Sequence, residues 1–228
     1  MMKRIGMIVA VEMDAVLSLY GSPKGQEKKA GYTVLCYENE SYALYVVNSG
    51  AGEIAAAAAT ELLITTYAVE MIVNFGVVGG LTEEMTMART VIVERVVHTD
   101  FDTSDWDGCE PGRYAAYPTR YIPADPELVK KAITAAPELI PVTCASADKF
   151  VAGEEKKRAL HQTFDADICE MEAAGILLTA RRAGIPCLMI KAVSDSITGG
   201  AEEFMNEVLR SSGICLEVTD RIIRSLHR

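Results

Sequence analysis

Short apolar runs alternate with segments of helical period for nearly the whole of this chain, and that alternation predicts an α/β fold. Strands are expected at 5–11, 33–37, 43–48, 71–75, 91–97, 141–145 and 187–193. Helices are expected at 51–66, 126–135, 154–162, 170–183 and 201–226. In the last of these, apolar residues at 204, 205, 208, 209, 214, 215, 218, 222 and 223 keep close to the 3.6-residue period of an amphipathic helix. Segment 32–48 reads instead as an antiparallel hairpin turning at Glu38-Asn39-Glu40-Ser41. The expectation is one domain over 1–228. It is a three-layer α/β/α fold whose mixed, largely parallel, twisted sheet has helices on both faces. Only 98–125 resists this reading; it is rich in Asp, Gly, Pro and aromatic residues, including Trp106, Tyr114, Tyr117 and Tyr121. A loop of that length in a compact domain is expected to close over a site or to meet a second subunit.

Composition narrows the partners. Half of the 228 residues are hydrophobic, which excludes a disordered chain. The net charge of −10 excludes a nucleic-acid backbone as ligand, because phosphate binding needs a basic face. A neutral nucleoside is still allowed. Six scattered cysteines with no CxxC pair read as reduced thiols of a cytoplasmic protein. The N-terminal Lys3-Arg4 and the apolar run after it imitate a leader, but Glu12 and Asp14 end the run, so a first strand is expected. The apolar region 54–81 is interrupted by Glu61, Glu70 and Asn74, so no membrane span is expected.

The candidate chemistry is carboxylate chemistry. Lys191-Ala192-Val193-Ser194-Asp195 closes a buried strand and delivers one carboxyl group at its end, where ligands of open α/β sheets bind. Cys169-Glu170-Met171-Glu172 opens a helix with two more. Glu12 and Asp14 follow the first strand. Two residues apart on a helix, they do not face the same point, so at most one is expected to enter a site. Gly50-Ala51-Gly52-Glu53-Ile54-Ala55 matches the dinucleotide pattern G-x-G-x-x-A, yet no acidic residue ends the next strand, where Asn74 and Phe75 stand. A structural turn or close approach to another ligand explains these glycines better. The glycines at 76, 79 and 80 are read as a loop whose amides approach a ligand. His98, Asp100 and Asp102 alternate as metal ligands could, but polar loop clusters are more often solvated. Nothing requires a metal or an organic cofactor.

Five segments in order carry a resemblance. They are Ile5-Gly6 with Ala10-Val11-Glu12-Met13-Asp14; Gly76-Val77-Val78-Gly79-Gly80; Ala145-Ser146-Ala147-Asp148-Lys149-Phe150-Val151; Glu170-Met171-Glu172-Ala173; and Ala192-Val193-Ser194-Asp195. Together they resemble the 5′-methylthioadenosine/S-adenosylhomocysteine nucleosidases of the nucleoside phosphorylase/hydrolase superfamily. The resemblance implies hydrolysis of the N-glycosidic bond of a 5′-substituted adenosine. It implies that Asp195 protonates purine N7, and that Glu172 holds the ribose hydroxyls with Met171 under the sugar. Phe150 would stack on the purine, the Val151 backbone would read its edge, and Gly79, Val77 and Ser194 would lie against the ligand. Asp14 matches the base that orients water, with Glu12 in reserve. A homodimer is implied as well.

The chain departs from the pattern at Asp14, where Glu is usual; at Val77, in place of a hydroxyl residue; and at Lys191, in place of Arg. Two alternatives stay open. A phosphate-dependent phosphorylase binds phosphate through arginines, one of them in the glycine-loop strand and followed by a serine, and here those positions look like Asn74 and Val77. A non-catalytic nucleoside-binding protein is favoured by Val77 and disfavoured by Glu172 and Asp195.

Overall fold

The computed structural model describes residues 2–227. The chain begins β1 (Lys3–Val9), α1 (Met13–Tyr20), β2 (Gly25–Lys29), β3 (Tyr32–Glu38), β4 (Tyr42–Asn48), α2 (Glu53–Tyr67) and β5 (Met71–Gly80). It continues β6 (Thr90–His98), α3 (Ser104–Asp107), β7 (Tyr121–Pro123), α4 (Pro126–Ala135) and β8 (Ile140–Ser146). It ends α5 (Glu154–Phe164), β9 (Ile168–Glu170), α6 (Ala173–Arg182), β10 (Cys187–Asp195) and α7 (Ala201–Leu226).

Every residue of β5 and of β10 is buried, which is why both strands read as unbroken apolar runs. They pair in parallel, Cys187 opposite Ile72 through Asp195 opposite Gly79. Helix α4 starts where its sequence says: Asp125 accepts the Glu127 and Leu128 amides at 3.0 Å each, and Pro126 fills a first-turn position that needs no donor.

Five pairings are parallel (β1–β4, β1–β5, β5–β10, β6–β8, β8–β9) and five antiparallel (β2–β3, β3–β4, β5–β9, β6–β7, β6–β10). The sheet is thus evenly mixed, which corrects the expectation of a largely parallel one. The surplus antiparallel pairings come from β2, β7 and β9, three short or polar strands with no apolar run to announce them. Pairing runs from β5 through β10, β6, β8 and β9 back to β5. One core cluster joins the sheet to α2 and α6, and a second joins it to α1, α4 and α7.

Candidate active site

The carboxyl ends of β1, β5 and β10 open on one cavity of about 160 Å³. Its walls come from Ala10 to Glu12 after β1, Val77 to Gly79 on β5, Ser194 and Asp195 on β10, and Cys169 to Glu172 around β9. Lys149, Phe150 and Val151, with Phe204 of α7, complete the mouth. Phe150 is half exposed there and meets Phe204 edge-on, with ring centroids 5.6 Å apart.

The glycines of β5 make room for two acids. A Cβ at Gly76 would lie 2.7 Å from Glu12 Oε1, and one at Gly79 would lie 3.2 Å from Asp195 Oδ2. Strand β5 runs on through Gly80 rather than ending in a glycine loop. Gly76 and Gly79 therefore serve close approach; neither has a positive φ. The buried Glu12 carboxylate accepts the Val77 amide at 2.9 Å and the Val11 amide at 3.0 Å.

On one wall Asp195 is buried with a cation. Lys157 of α5 is wholly buried, and its Nζ donates to Asp195 Oδ2 and to the Ser196 carbonyl, each at 2.5 Å. Ser194 Oγ lies 3.2 Å from Asp195 Oδ1. Burial therefore does not act on Asp195 alone, as the sequence reading assumed; a buried ammonium stands beside it.

A second part of the lining holds a different kind of cluster. Glu172 Oε1 accepts the Gly52 amide at 2.9 Å. Glu170 accepts the amides of Glu172 and Ala173 at the start of α6, between 2.9 and 3.0 Å, as a helix N-terminus favours. Lys191 Nζ donates to Glu170 at 3.2 Å and is the cation of this cluster. Ser146 Oγ accepts the Ala174 amide at 3.1 Å and contacts both Glu53 and Glu170. Burial, then the charge of Glu170, pushes the Glu53 carboxyl up to about 7, against the Ser146 hydroxyl and the Gly175 amide that bind it. Burial, then Glu170, pushes Glu172 up to about 8, against the pull of Lys191 and the Gly52 amide.

The glycine turn before α2 serves this arrangement. Gly50 and Gly52 have φ of 73° and 108°; the Gly52 amide binds Glu172, and the Glu53 amide binds Asp148 at 2.8 Å. The turn's amides are thus spent on carboxylates of the chain itself.

A family model described as Phosphorylase superfamily matches residues 4–227. The 5′-methylthioadenosine/S-adenosylhomocysteine nucleosidase of Shewanella denitrificans is 30% identical over 199 residues, 85% of this chain and 86% of that one. The chain belongs to the phosphorylase superfamily and, within it, to this nucleosidase family. A second relative of the same name, from Shewanella loihica, is 28% identical over 217 residues, 92% and 94% of the two chains. Solved structures share the superfamily fold. Futalosine hydrolase of Helicobacter pylori strain 26695 superposes with a TM-score of 0.91 at 22% identity, over 97% of each chain. The Colwellia psychrerythraea nucleosidase solved with adenine gives 0.90 at 24% identity, over 99% of this chain and 96% of that one.

Of the residues that the family pattern singled out, the fold brings Glu12, Val77, Gly79, Phe150, Val151, Met171, Glu172, Ser194 and Asp195 around the one cavity. Asp14 is the exception: it is exposed on α1 and lines no part of the cavity. Glu12 occupies the N-cap of α1 and turns back toward the strand ends, while Asp14, two residues on, is rotated by about 200° around the helix. The aromatic loop stays apart from the cavity of the single chain: no residue of 98–121 lines it. Its polar groups are engaged with one another or with neighbours: His98 with Tyr114 at 2.7 Å, Asp100 with Lys149 at 2.6 Å, Asp102 with the Ser104 amide at 2.9 Å.

Sequence reasoning missed Lys157, Glu53 and Ser146. For Lys157 a signal existed. It shares one helix face with Leu160 and Phe164, at i, i+3 and i+7, so a charge stands where the period calls for an apolar residue.

Proposed function

We propose that this chain hydrolyses the N-glycosidic bond of 5′-substituted adenosines, such as 5′-methylthioadenosine or S-adenosylhomocysteine, to adenine and a 5′-substituted ribose. The observation that carries this reading is the convergence of Asp195, Glu172 and Glu12 on one cavity, from three different elements. Breaking the bond leaves an oxocarbenium-like sugar and a base that departs poorly as an anion. Asp195 delivers a proton to N7, so the base leaves neutral. Glu172 holds the ribose hydroxyls, and its negative charge grows more favourable as the sugar turns cationic. Glu12, not Asp14, orients the water and takes its proton.

The remaining roles follow the cavity walls. Phe150 stacks on the purine, with the Val151 backbone at its edge. Met171 lies under the sugar, and Gly79, Val77 and Ser194 lie against the ligand. The 5′ group meets the apolar mouth near Val11 and Phe204. A phosphorolytic reading is disfavoured because no arginine of the described residues lines the cavity, while the carboxyl groups of Glu12 and Glu172 do. The reading takes 1–228 as one three-layer domain, supported by core clusters involving α2 and α6 on one side and α1, α4 and α7 on the other. It also takes the chain to be a cytoplasmic homodimer whose aromatic loop, with Trp106 86% exposed, meets the second copy.

Adenine release from 5′-methylthioadenosine tests the reaction. Release independent of added phosphate, with a free reducing sugar as co-product, is expected. Release that requires phosphate and yields a sugar 1-phosphate would overturn hydrolysis.

A further inference from the structure

Lys157 has no part in the chemistry so far, yet its placement is costly. It is wholly buried on a helix whose other charged residues face solvent, and it binds the acid assigned to the base. Burying an ammonium is unfavourable unless a partner compensates it, and an apolar residue would fit the helix face without that cost. The placement also has a direction. A Cβ on Gly79, which lines the cavity, would lie 3.2 Å from Asp195 Oδ2 and 3.5 Å from Lys157 Nζ. Oxygen and ammonium thus lie together behind one glycine of the wall. The Nζ spends two of its three N–H groups, on Asp195 and on the Ser196 carbonyl.

We propose that Lys157 is a positioning residue that stores the proton which Asp195 hands to the leaving base. This rests on the reading of Asp195 as the acid. As the C1′–N9 bond breaks and its electron pair moves into the purine, a proton passes from Asp195 to N7. That proton comes from Lys157: its Nζ–H bond breaks as an Asp195 O–H bond forms, and this O–H bond breaks in turn as N7 takes the proton. Water adds to C1′ and gives its proton to Glu12; that proton returns through solvent to neutral Lys157, so charge and atoms balance. Asp195 is a carboxylate before and after turnover, which a dry wall tolerates because the cation is built in. The titratable groups facing the pair are few. Cys169 of β9 has its thiol pushed up to about 12 by burial, and Glu203 of α7 accepts the Ser196 amide at 2.8 Å.

The test is kcat/KM against pH for the wild type, Lys157→Met and Lys157→Arg, with folding checked by circular dichroism. In the wild type the acidic proton sits on an ammonium, so activity is expected to persist into alkaline solution. In Lys157→Met only Asp195 itself can hold that proton. Its activity is expected near wild type at pH 5 and to fall about tenfold per pH unit above its limb, reaching a deficit of at least about 10²-fold at pH 9. Lys157→Arg keeps the charge but cannot give up a proton, so kcat is expected to drop by about 10²-fold with KM little changed. A deficit in Lys157→Met that is the same at every pH would overturn the proposal, and so would a faster Lys157→Met enzyme at neutrality. Wild-type kcat in Lys157→Arg would do so as well, and decides the matter if the Met variant does not fold. Asp195→Asn separates the two readings: if it is as fast as wild type, the acid assignment fails whatever the lysine variants do.

Discussion

Two walls of one cavity solve the same electrostatic problem differently. On the base side, Asp195 is buried with a cation of its own, and the wall is locally neutral as an ion pair. On the sugar side, Glu53, Glu170 and Glu172 stand together with one cation, Lys191, which pairs with Glu170, and burial with the charge of Glu170 pushes Glu53 and Glu172 up to about 7 and 8. The difference fits the chemistry proposed for each wall. A base that must be protonated calls for a proton held in reserve. A sugar that becomes cationic calls for carboxyl groups ready to ionise as the charge appears. Burial alone fixes neither outcome; the count of cations beside each acid does.

The largest effect that would sharpen this contrast lies between the walls. Glu12→Gln is expected to cost about 10² or more in kcat through loss of the base, while Asp14→Asn leaves steady-state rates within about twofold. Equal losses in the two variants would return the base to position 14. Next, Glu172→Gln keeps a hydroxyl acceptor but loses the charge, with an expected kcat drop of about 10–100-fold, the range of a charged hydrogen bond. An unchanged kcat with raised KM would mean that the sugar-side charge serves binding only.

The smallest effect is thermal. Glu53 and Glu172 have native values above the ordinary carboxyl value, so the native state favours their protonated forms. Their contribution to stability is complete below about pH 4.5 and is lost as pH rises through about 7 to 8. Melting temperature is therefore expected to fall between pH 5 and pH 8.5. Glu172→Gln, which never ionises, flattens that slope by at least about 2 °C. A wild-type slope retained in full by the variant would remove Glu172 from the sugar-side proton sharing.

The central strands and the long helices were legible because their apolar runs and 3.6-residue periods are set by burial on both faces or on one. Strand β2, Gly-Gln-Glu-Lys-Lys, carries no apolar residue and lies at the sheet edge, so only pairing with β3 makes it a strand. Strand β9 hid inside the apparent start of a helix: Glu170 ends the strand, and α6 begins only at Ala173. At the site, acids at strand and helix ends were readable from order and spacing. The choice between Glu12 and Asp14 was not, since it depends on which residue caps α1 and which is carried round its far side. Lys157 was readable as an anomaly in an amphipathic period, but its partner lies 38 residues away and only the fold supplies it.

The most direct test of the account is single-turnover release of adenine from 5′-methylthioadenosine by the wild type and by Asp195→Asn at saturating enzyme. The account predicts that the variant still binds the nucleoside but releases adenine at least about 10²-fold more slowly. Equal single-turnover rates for the two proteins would contradict it.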